Sequence, residues 1–502
     1  MADNPTTGAP PRPVRICAIA SEVAPFAKTG GLADVAAALT KYLHGYGHDI
    51  RLFMPLYRSV ERERYGLAPV AELHALSLRI GAHRYGYSLY TAVLPGSTAQ
   101  VYLIDCPPLY GRDGIYSSAP DEHLRFLALT RMAIECCQHL GFAPDILHCH
   151  DWHAAFGPLL LRTLYGWDRL FADTRTVLTI HNIGYQGEFA AAAAADLELG
   201  ENAYLLHQDD LRGGRINALK HGCMYADAIT TVSPTYAAEI RTSEYGMGLE
   251  EVLRGRGSAL LGILNGVDYD EWDPRIDRHL GAHYDATQLT VKAELKQQFL
   301  TRMGLTGGPR TALAGAVTRL ATQKGIDLIL AALPQLLAAR DLVFVVLGAG
   351  EPHYEAALHE LAAAWPHRVV FRQGYSEELA HWIEAASDLF LMPSRYEPCG
   401  LNQMYSLRYG TVPVVRRTGG LADSVQRYDP ATGSGTGVVF EPFTAAALAG
   451  AVESALDLYA QPGHWLRMMR NGMAQDYSWE RQGGQYVTLF ERMLGPASST
   501  QP

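Results

Sequence analysis

Short apolar runs alternate with stretches of helical periodicity along almost the whole chain. Runs at 14–20, 49–54, 101–105, 145–150, 176–181 and 228–232 predict strands, with helices between several of them, as at 32–46 and 124–140. A second series follows, with strands predicted at 311–317, 342–347, 368–372, 389–392 and 412–415. Helical spacing recurs between them at 326–339, 377–386 and 401–409. The last stretch, 479–494, is amphipathic. Two consecutive strand–helix series predict an α/β fold of two Rossmann-like, doubly wound parallel sheets. The expected organisation is a frayed tail at 1–13, a first domain at 14–265 and a second at 266–478. The turn-rich 265–273 is the crossing point, and a terminal helix at 479–495 packs back on the first domain. Open parallel sheets bind ligands beyond the carboxyl ends of their strands, so two such rims facing a cleft are expected to share the ligand.

Composition narrows the partners. The 502 residues are too many for one core, 48% are apolar, and the net charge of −10 comes without a basic stripe. That excludes nucleic acid or an anionic membrane as the main partner. No apolar run is long enough to span a bilayer. Seven scattered cysteines without paired spacing argue against a disulfide framework and for a reducing cytoplasm. The proline-rich first residues lack the apolar stretch of a secretory signal.

The candidate chemistry begins with KTGGLADV at 28–35, echoed by RTGGLADSV at 417–425. Each copy sets a cation and two glycines before a helix start: Lys28 with Gly30 and Gly31, then Arg417 and Thr418 with Gly419 and Gly420. Glycines admit close backbone approach, and a helix start offers unpaired N–H donors to phosphate or a sugar. The same pattern also arises in ordinary strand-to-helix turns. In TRLATQKG (318–325), Arg319 and Lys324 supply a fork and a point charge suited to a diphosphate, or simply a solvated basic turn. In SRYEPCGLNQ (394–403), Glu397 stands at the mouth of a helix beginning near Leu401. There a carboxylate can accept sugar hydroxyls, steady an oxocarbenium ion, or cap the helix. Cys399, beside Gly400, has no nearby histidine to activate it and reads as a buried thiol. HCHDWH (148–153) places His148 and His150 on one strand face, the spacing of a zinc pair, without a matching distant signature. His181, next to Asn182, ends another strand and reads either as a catalytic or as a satisfied buried histidine. Tyr375 follows Gly374 at a strand end, suited to stacking on a purine or to packing.

Seven motifs in order carry a family resemblance: KTGGLADV, HCHDWH, TIHNIGYQGEF, ILNGVDYDEWDP, TRLATQKG, PSRYEPCGLNQ and RTGGLADSV. The chain, from about 14 to 495, resembles the ADP-glucose-dependent starch/glycogen synthase family, its bacterial members most of all. The resemblance implies the GT-B arrangement and transfer of glucose from ADP-glucose to the 4-OH of an α-1,4-glucan, with retention and with no metal or cofactor. It further implies that Lys28, Asp34, Gly30 and Gly31 line the sugar nucleotide and that His181 lies near the donor glucose. Arg319 and Lys324 neutralise the departing diphosphate, and Glu397 is the active-site glutamate. Asn265, Asp151 and Tyr375 match further cleft residues. Cys399, Gly400, Leu401, Thr418, Gly419 and Gly420 belong to the matching substrate-binding motifs. Gly184 and the alanine-rich 190–195 depart from the family pattern away from the chemistry. Rival readings are a glucan phosphorylase, which would need a lysine carrying pyridoxal phosphate, and a non-catalytic glucan-binding protein. A nicotinamide dehydrogenase lacks its GxGxxG after the first strand.

Overall fold

The computed structural model describes residues 13–495. The expected tail at 1–13 therefore lies, apart from Pro13, outside the described residues. The chain forms two compact units. The first runs to Thr231 and adds Ile240–Leu261 and the chain from Gln482; the second comprises Val232–Glu239 and Gly262–Arg481. The expected division at 265/266 becomes 261/262, and residues 232–239 join the second unit instead of the first. The physical cause is a helix, Pro234–Glu239, tied by side-chain hydrogen bonds to the helix Gly419–Ser424.

The first unit is built on a ten-stranded sheet. From Arg15–Ile19 the chain adds Asp49–Pro55 and then Gln100–Asp105 on one side, all parallel. It then crosses to lay Ile146–His150, Arg175–Ile180 and Ala228–Thr231 on the other side. The winding reverses between Arg15–Ile19 and Ile146–His150, which makes that gap the topological switch point. The far edge differs from the wholly parallel sheet expected. Leu76–Ile80 and His83–Val93 form a hairpin that joins Gln100–Asp105 antiparallel. These strands are half-exposed and alternate in burial, so they leave no continuous apolar run for a reader to find.

The second unit carries a six-stranded, wholly parallel sheet in the order Val369–Gln373, Leu342–Gly348, Ala312–Val317, Leu389–Met392, Val412–Arg416, Val438–Phe440. Its switch point falls between Ala312–Val317 and Leu389–Met392. Leu342–Gly348 is buried at every position, as a strand covered by helices on both faces must be. The edge strand Val438–Phe440, with three residues, is too short to have stood out in the apolar pattern.

The terminal helix, Trp479–Leu494, puts Tyr486 and Phe490 into the interior of the first unit against His148. Gly483 lies on the Tyr42 ring, where any side chain would collide.

Candidate active site

Lys28 and Asp151 in the first unit, and Arg319, Lys324 and Glu397 in the second, stand on loops leaving the two strands that flank the switch point, while His181, Asn265, Tyr375 and Thr418 follow other strands. Parallel strands bring all their carboxyl ends to one rim, and the reversal there leaves a crevice uncovered by a crossing helix.

In the first unit the loop after Arg15–Ile19 is organised by Glu22, a buried carboxylate. It accepts the Thr29 hydroxyl (2.7 Å), the Gly30 N–H (3.2 Å), the Thr29 N–H and the Tyr116 hydroxyl. The N–H groups at the start of the helix Gly31–Gly45 are thus already engaged in part, contrary to the reading of Gly30 as an open cradle. Lys28 is exposed and pairs with Asp34 at 2.7 Å across the first turn. Around Gly30 a Cβ would meet nothing within 4 Å.

Across the switch point, Ile146–His150 ends in a closely packed histidine array. His150 Nδ1 and His181 Nε2 are 2.9 Å apart, and His148 Nε2 lies 2.7 Å from the Thr179 hydroxyl. Asp151, held at φ 54°, accepts the N–H groups of His181 (2.7 Å) and Asn182 (3.4 Å). Burial keeps these imidazoles neutral: His150 is pulled down to about 3, and His148, His153 and His181 fall well below the usual histidine range. Burial pushes the Asp151 carboxyl up to about 7, against the pull of its two N–H donors. The Glu22 charge also reaches Asp151, which ties the two loops together. His148 Nδ1 and His153 Nδ1 are buried without a hydrogen-bond partner, yet among the described residues the histidines of HCHDWH belong to no set of three ligand atoms within reach of one ion.

In the second unit the switch-point loops meet in a pair that no local pattern foretold. Lys324 Nζ sits on both oxygens of Glu397, at 2.9 and 2.7 Å, and Glu397 Oε2 also accepts the Ser394 hydroxyl at 2.9 Å. The Glu397 side chain is 5% exposed and that of Lys324 18%. Arg319 is exposed and reaches Gln323 Oε1 at 3.4 Å. Asn265 is buried, hydrogen-bonds to Cys399 and leaves Oδ1 without a partner. Burial raises the Cys399 thiol to about 12, in keeping with an inert thiol.

The second glycine pair has a different setting from the first. Gly419, at φ 43°, and Gly420 lie directly on the backbone of 397–399. A Cβ on either would collide with the carbonyl oxygen of Glu397 or of Cys399. Thr418 donates its hydroxyl (2.9 Å) and Gly419 its N–H (3.0 Å) to Glu239, while the Gly420 N–H points at the carbonyls of Glu397 and Pro398. Thr235 in turn donates to Asp423, and Ser233 to the Pro398 carbonyl. The amides of Gly419 and Gly420, expected to line substrate, are therefore used in fixing the loop that carries Glu397.

Gly400 and Leu401 complete that loop, and the following helix, Asn402–Tyr409, starts one residue later than expected. Tyr375 stands apart, 63% exposed beyond the outermost strand. Glu22, Tyr116, Glu239 and Ser394 were missed by sequence reasoning. The recurring threonine before each glycine pair was the available signal, since each hydroxyl now seats on a carboxylate. In the first unit a cavity of about 420 Å³ is lined by Trp152, Tyr185, Gln186 and Met247. A larger one of about 720 Å³ in the second unit lies beside the edge strand Val438–Phe440, away from the switch point.

Residues 15–255 match the starch synthase catalytic domain family and residues 309–471 the glycosyl transferases group 1 family. A glycogen synthase of Koribacter versatilis (strain Ellin345) is 43% identical over 486 residues, covering 95% of this chain and 98% of the relative. One from Anaeromyxobacter dehalogenans (strain 2CP-C) is 46% identical over 488 residues, covering 96% and 100%. Among solved structures, the catalytic domain of starch synthase IV from Arabidopsis thaliana, bound to ADP and acarbose, superposes with a TM-score of 0.89 at 34% identity, covering 96% of this chain and 99% of that one. A sucrose-phosphate synthase from Thermosynechococcus elongatus, at 16% identity and a TM-score of 0.61 over 95% and 98% of the two chains, shares the fold.

Proposed function

Because this chain belongs to the glycogen synthase and starch synthase family of glucan-extending glycosyltransferases, we propose that it transfers glucose from ADP-glucose to the 4-OH of an α-1,4-glucan with retention of configuration. The observation that carries this reading is the Lys324–Glu397 pair at the switch point of the second unit, with Arg319 on the same loop as Lys324.

A departing diphosphate carries about two negative charges, and Arg319 and Lys324 match them. Lys324 is pre-positioned by Glu397, so its ammonium is shared between carboxylate and phosphate as the bond breaks. With both carboxylate oxygens engaged, Glu397 is poorly placed to attack the sugar. A front-face route follows: the C1–O bond breaks with its electron pair going to the phosphate. The acceptor 4-OH bonds to C1 on the same face, and its proton passes to the departing phosphate oxygen. His181 stays neutral through burial. With Nε2 toward His150, it turns Nδ1 to a donor-sugar hydroxyl, and Asp151 fixes its backbone. Trp152 and Tyr185 offer aromatic faces to the acceptor glucan. The starch synthase IV relative holds ADP and acarbose, a nucleotide and a glucan mimic of the two substrates proposed here. Seven free, buried cysteines accord with a cytoplasmic location, and no described helix is long and apolar enough to cross a membrane.

Purified protein given glycogen and either ADP-glucose or UDP-glucose tests the reading. Release of ADP with α-1,4 extension is expected, and transfer from UDP-glucose alone would overturn the donor assignment.

A further inference from the structure

A second cluster in the C-terminal unit, away from the loops just described, is unused by this chemistry. His381 is fully buried on the helix Glu377–Ala386, sandwiched against Trp272 at a ring separation of 3.7 Å, with Tyr405 on the indole's other face at 4.0 Å. Its Nδ1 lies 2.8 Å from Asp277 Oδ2, which also accepts the Tyr409 hydroxyl at 2.6 Å. That leaves His381 Nε2, buried and without a hydrogen-bond partner. A nitrogen so placed is costly to the fold unless something binds it.

Two further donors converge on the same place. Glu377 lies one helical turn before His381, on the same helix face. His279 is carried by the turn that Asp277 fixes through its Oδ1, which accepts the His279 N–H at 2.9 Å. One ligand atom from each of His279, Glu377 and His381 lies within 4.8 Å of the other two. Ligands of a tetrahedral ion with bonds near 2.1 Å stand roughly 3.4 Å apart, so binding requires the two outer side chains to draw in. Glu271 hydrogen-bonds to Glu377, adding a second carboxylate at the rim. Arg278, 77% exposed, reaches Glu377 and His279 at 3.4 Å from outside and is free to swing into solvent.

We propose that His279, Glu377 and His381 form a binding site for a divalent transition ion of the zinc class, with His381 oriented by Asp277 as a carboxylate–histidine–metal triad. Two imidazoles and a carboxylate suit zinc, cobalt or nickel and not calcium or magnesium. The ion joins the segment after the crossing into the second unit to the helix Glu377–Ala386. Its role is to stabilise that unit, not to transfer glucose, so the inference stands independently of the donor and acceptor assigned above.

The test uses metal-stripped full-length protein titrated with Co²⁺ and Zn²⁺, followed by calorimetry, visible absorption and tryptophan fluorescence. One equivalent of Co²⁺ is expected to bind with a d–d band and to quench Trp272, and Zn²⁺ is expected to raise the unfolding temperature. His381 variants risk unfolding because they empty a buried site under Trp272. Glu377 is exposed and His279 half-buried, so Glu377→Ala and His279→Ala are expected to stay folded and should each weaken binding at least tenfold, with glucosyl transfer unchanged. Absence of stoichiometric binding, or wild-type affinity and Zn²⁺ stabilisation in His279→Ala, overturns the proposal.

Discussion

The two Thr-Gly-Gly loops share a sequence but differ in backbone conformation, Gly30 at φ −152° and Gly419 at φ 43°, and in what surrounds their glycines. Both follow a strand, open a helix and seat a threonine hydroxyl and a glycine N–H on a carboxylate, Glu22 of the same loop in one unit and the distant Glu239 in the other. Gly30 faces open space, whereas Gly419 and Gly420 are pressed onto the backbone of 397–399. Glycine in the first loop leaves room that a ligand can enter. In the second it lets two backbones touch, and so fixes the loop that holds Glu397 under Lys324. A repeated motif therefore marks a strand-to-helix turn, while the packing around it decides the backbone geometry and what it serves.

The comparison has measurable consequences. The largest concerns what the second loop supports. Lys324→Ala should lower turnover by about two orders of magnitude or more, the scale for one oriented charge. It should also destabilise the second unit, because Glu397 would be left buried and unpaired. Adding Glu397→Gln should restore the unfolding midpoint without restoring turnover. Near-normal turnover in either variant would remove Lys324 from the diphosphate site.

The glycines themselves come next. Gly419→Ala sets a side chain at positive φ against a carbonyl and should cost about 3 kcal/mol or more in denaturant unfolding. Gly30→Ala, at φ −152°, should cost less than about 1 kcal/mol. Equal costs would erase the distinction. Removing the carboxylate partner should have a smaller effect. Glu239→Ala strands a buried Thr418 hydroxyl and an N–H, a loss of about 1–3 kcal/mol, and the exposed Thr29 should make Glu22→Ala milder in stability. A larger loss in Glu22→Ala would reverse that ranking.

Acid should separate the units further. In the first unit His48, His148, His150, His153, His181 and His221 have pKa values below their unfolded value of about 6.5. The stability they contribute is present above that pH and is lost as pH falls toward their folded values, about 3 for His150. Asp151 acts oppositely: raised to about 7, it contributes below the unfolded carboxyl value and loses that contribution as pH rises through 7. These six lowered histidines outnumber the two raised carboxyls of that unit, Asp151 and Glu135. Unfolding followed from pH 7 to 5 should therefore show the first unit weakening before the second; simultaneous loss would contradict the assignment.

The parallel strands and their order of appearance were legible because strands covered on both faces read as continuous apolar runs. The His83–Val93 hairpin was not, since one of its faces is open. Most of the candidate site was legible as loops past strand ends. Its pairings were not: Lys324 and Glu397 are 73 residues apart, and Glu239 and Thr418 are 179 apart. HCHDWH drew a metal reading because its histidines are neighbours in sequence, yet His148 bonds Thr179, His150 bonds His181, and among the described residues they belong to no set of three ligand atoms. The set His279, Glu377 and His381 spans too much chain to appear as a motif. The residues 232–239 were assigned to the wrong unit because hydrogen bonds to the second glycine loop, not strand order, decide where they pack.

A crystal structure with ADP bound tests the central claim most directly. The account predicts the diphosphate within hydrogen-bond distance of Lys324 Nζ and the Arg319 guanidinium, at the carboxyl ends of Ala312–Val317 and Leu389–Met392. A nucleotide seated elsewhere, with Lys324 still clasping Glu397 alone, would contradict it.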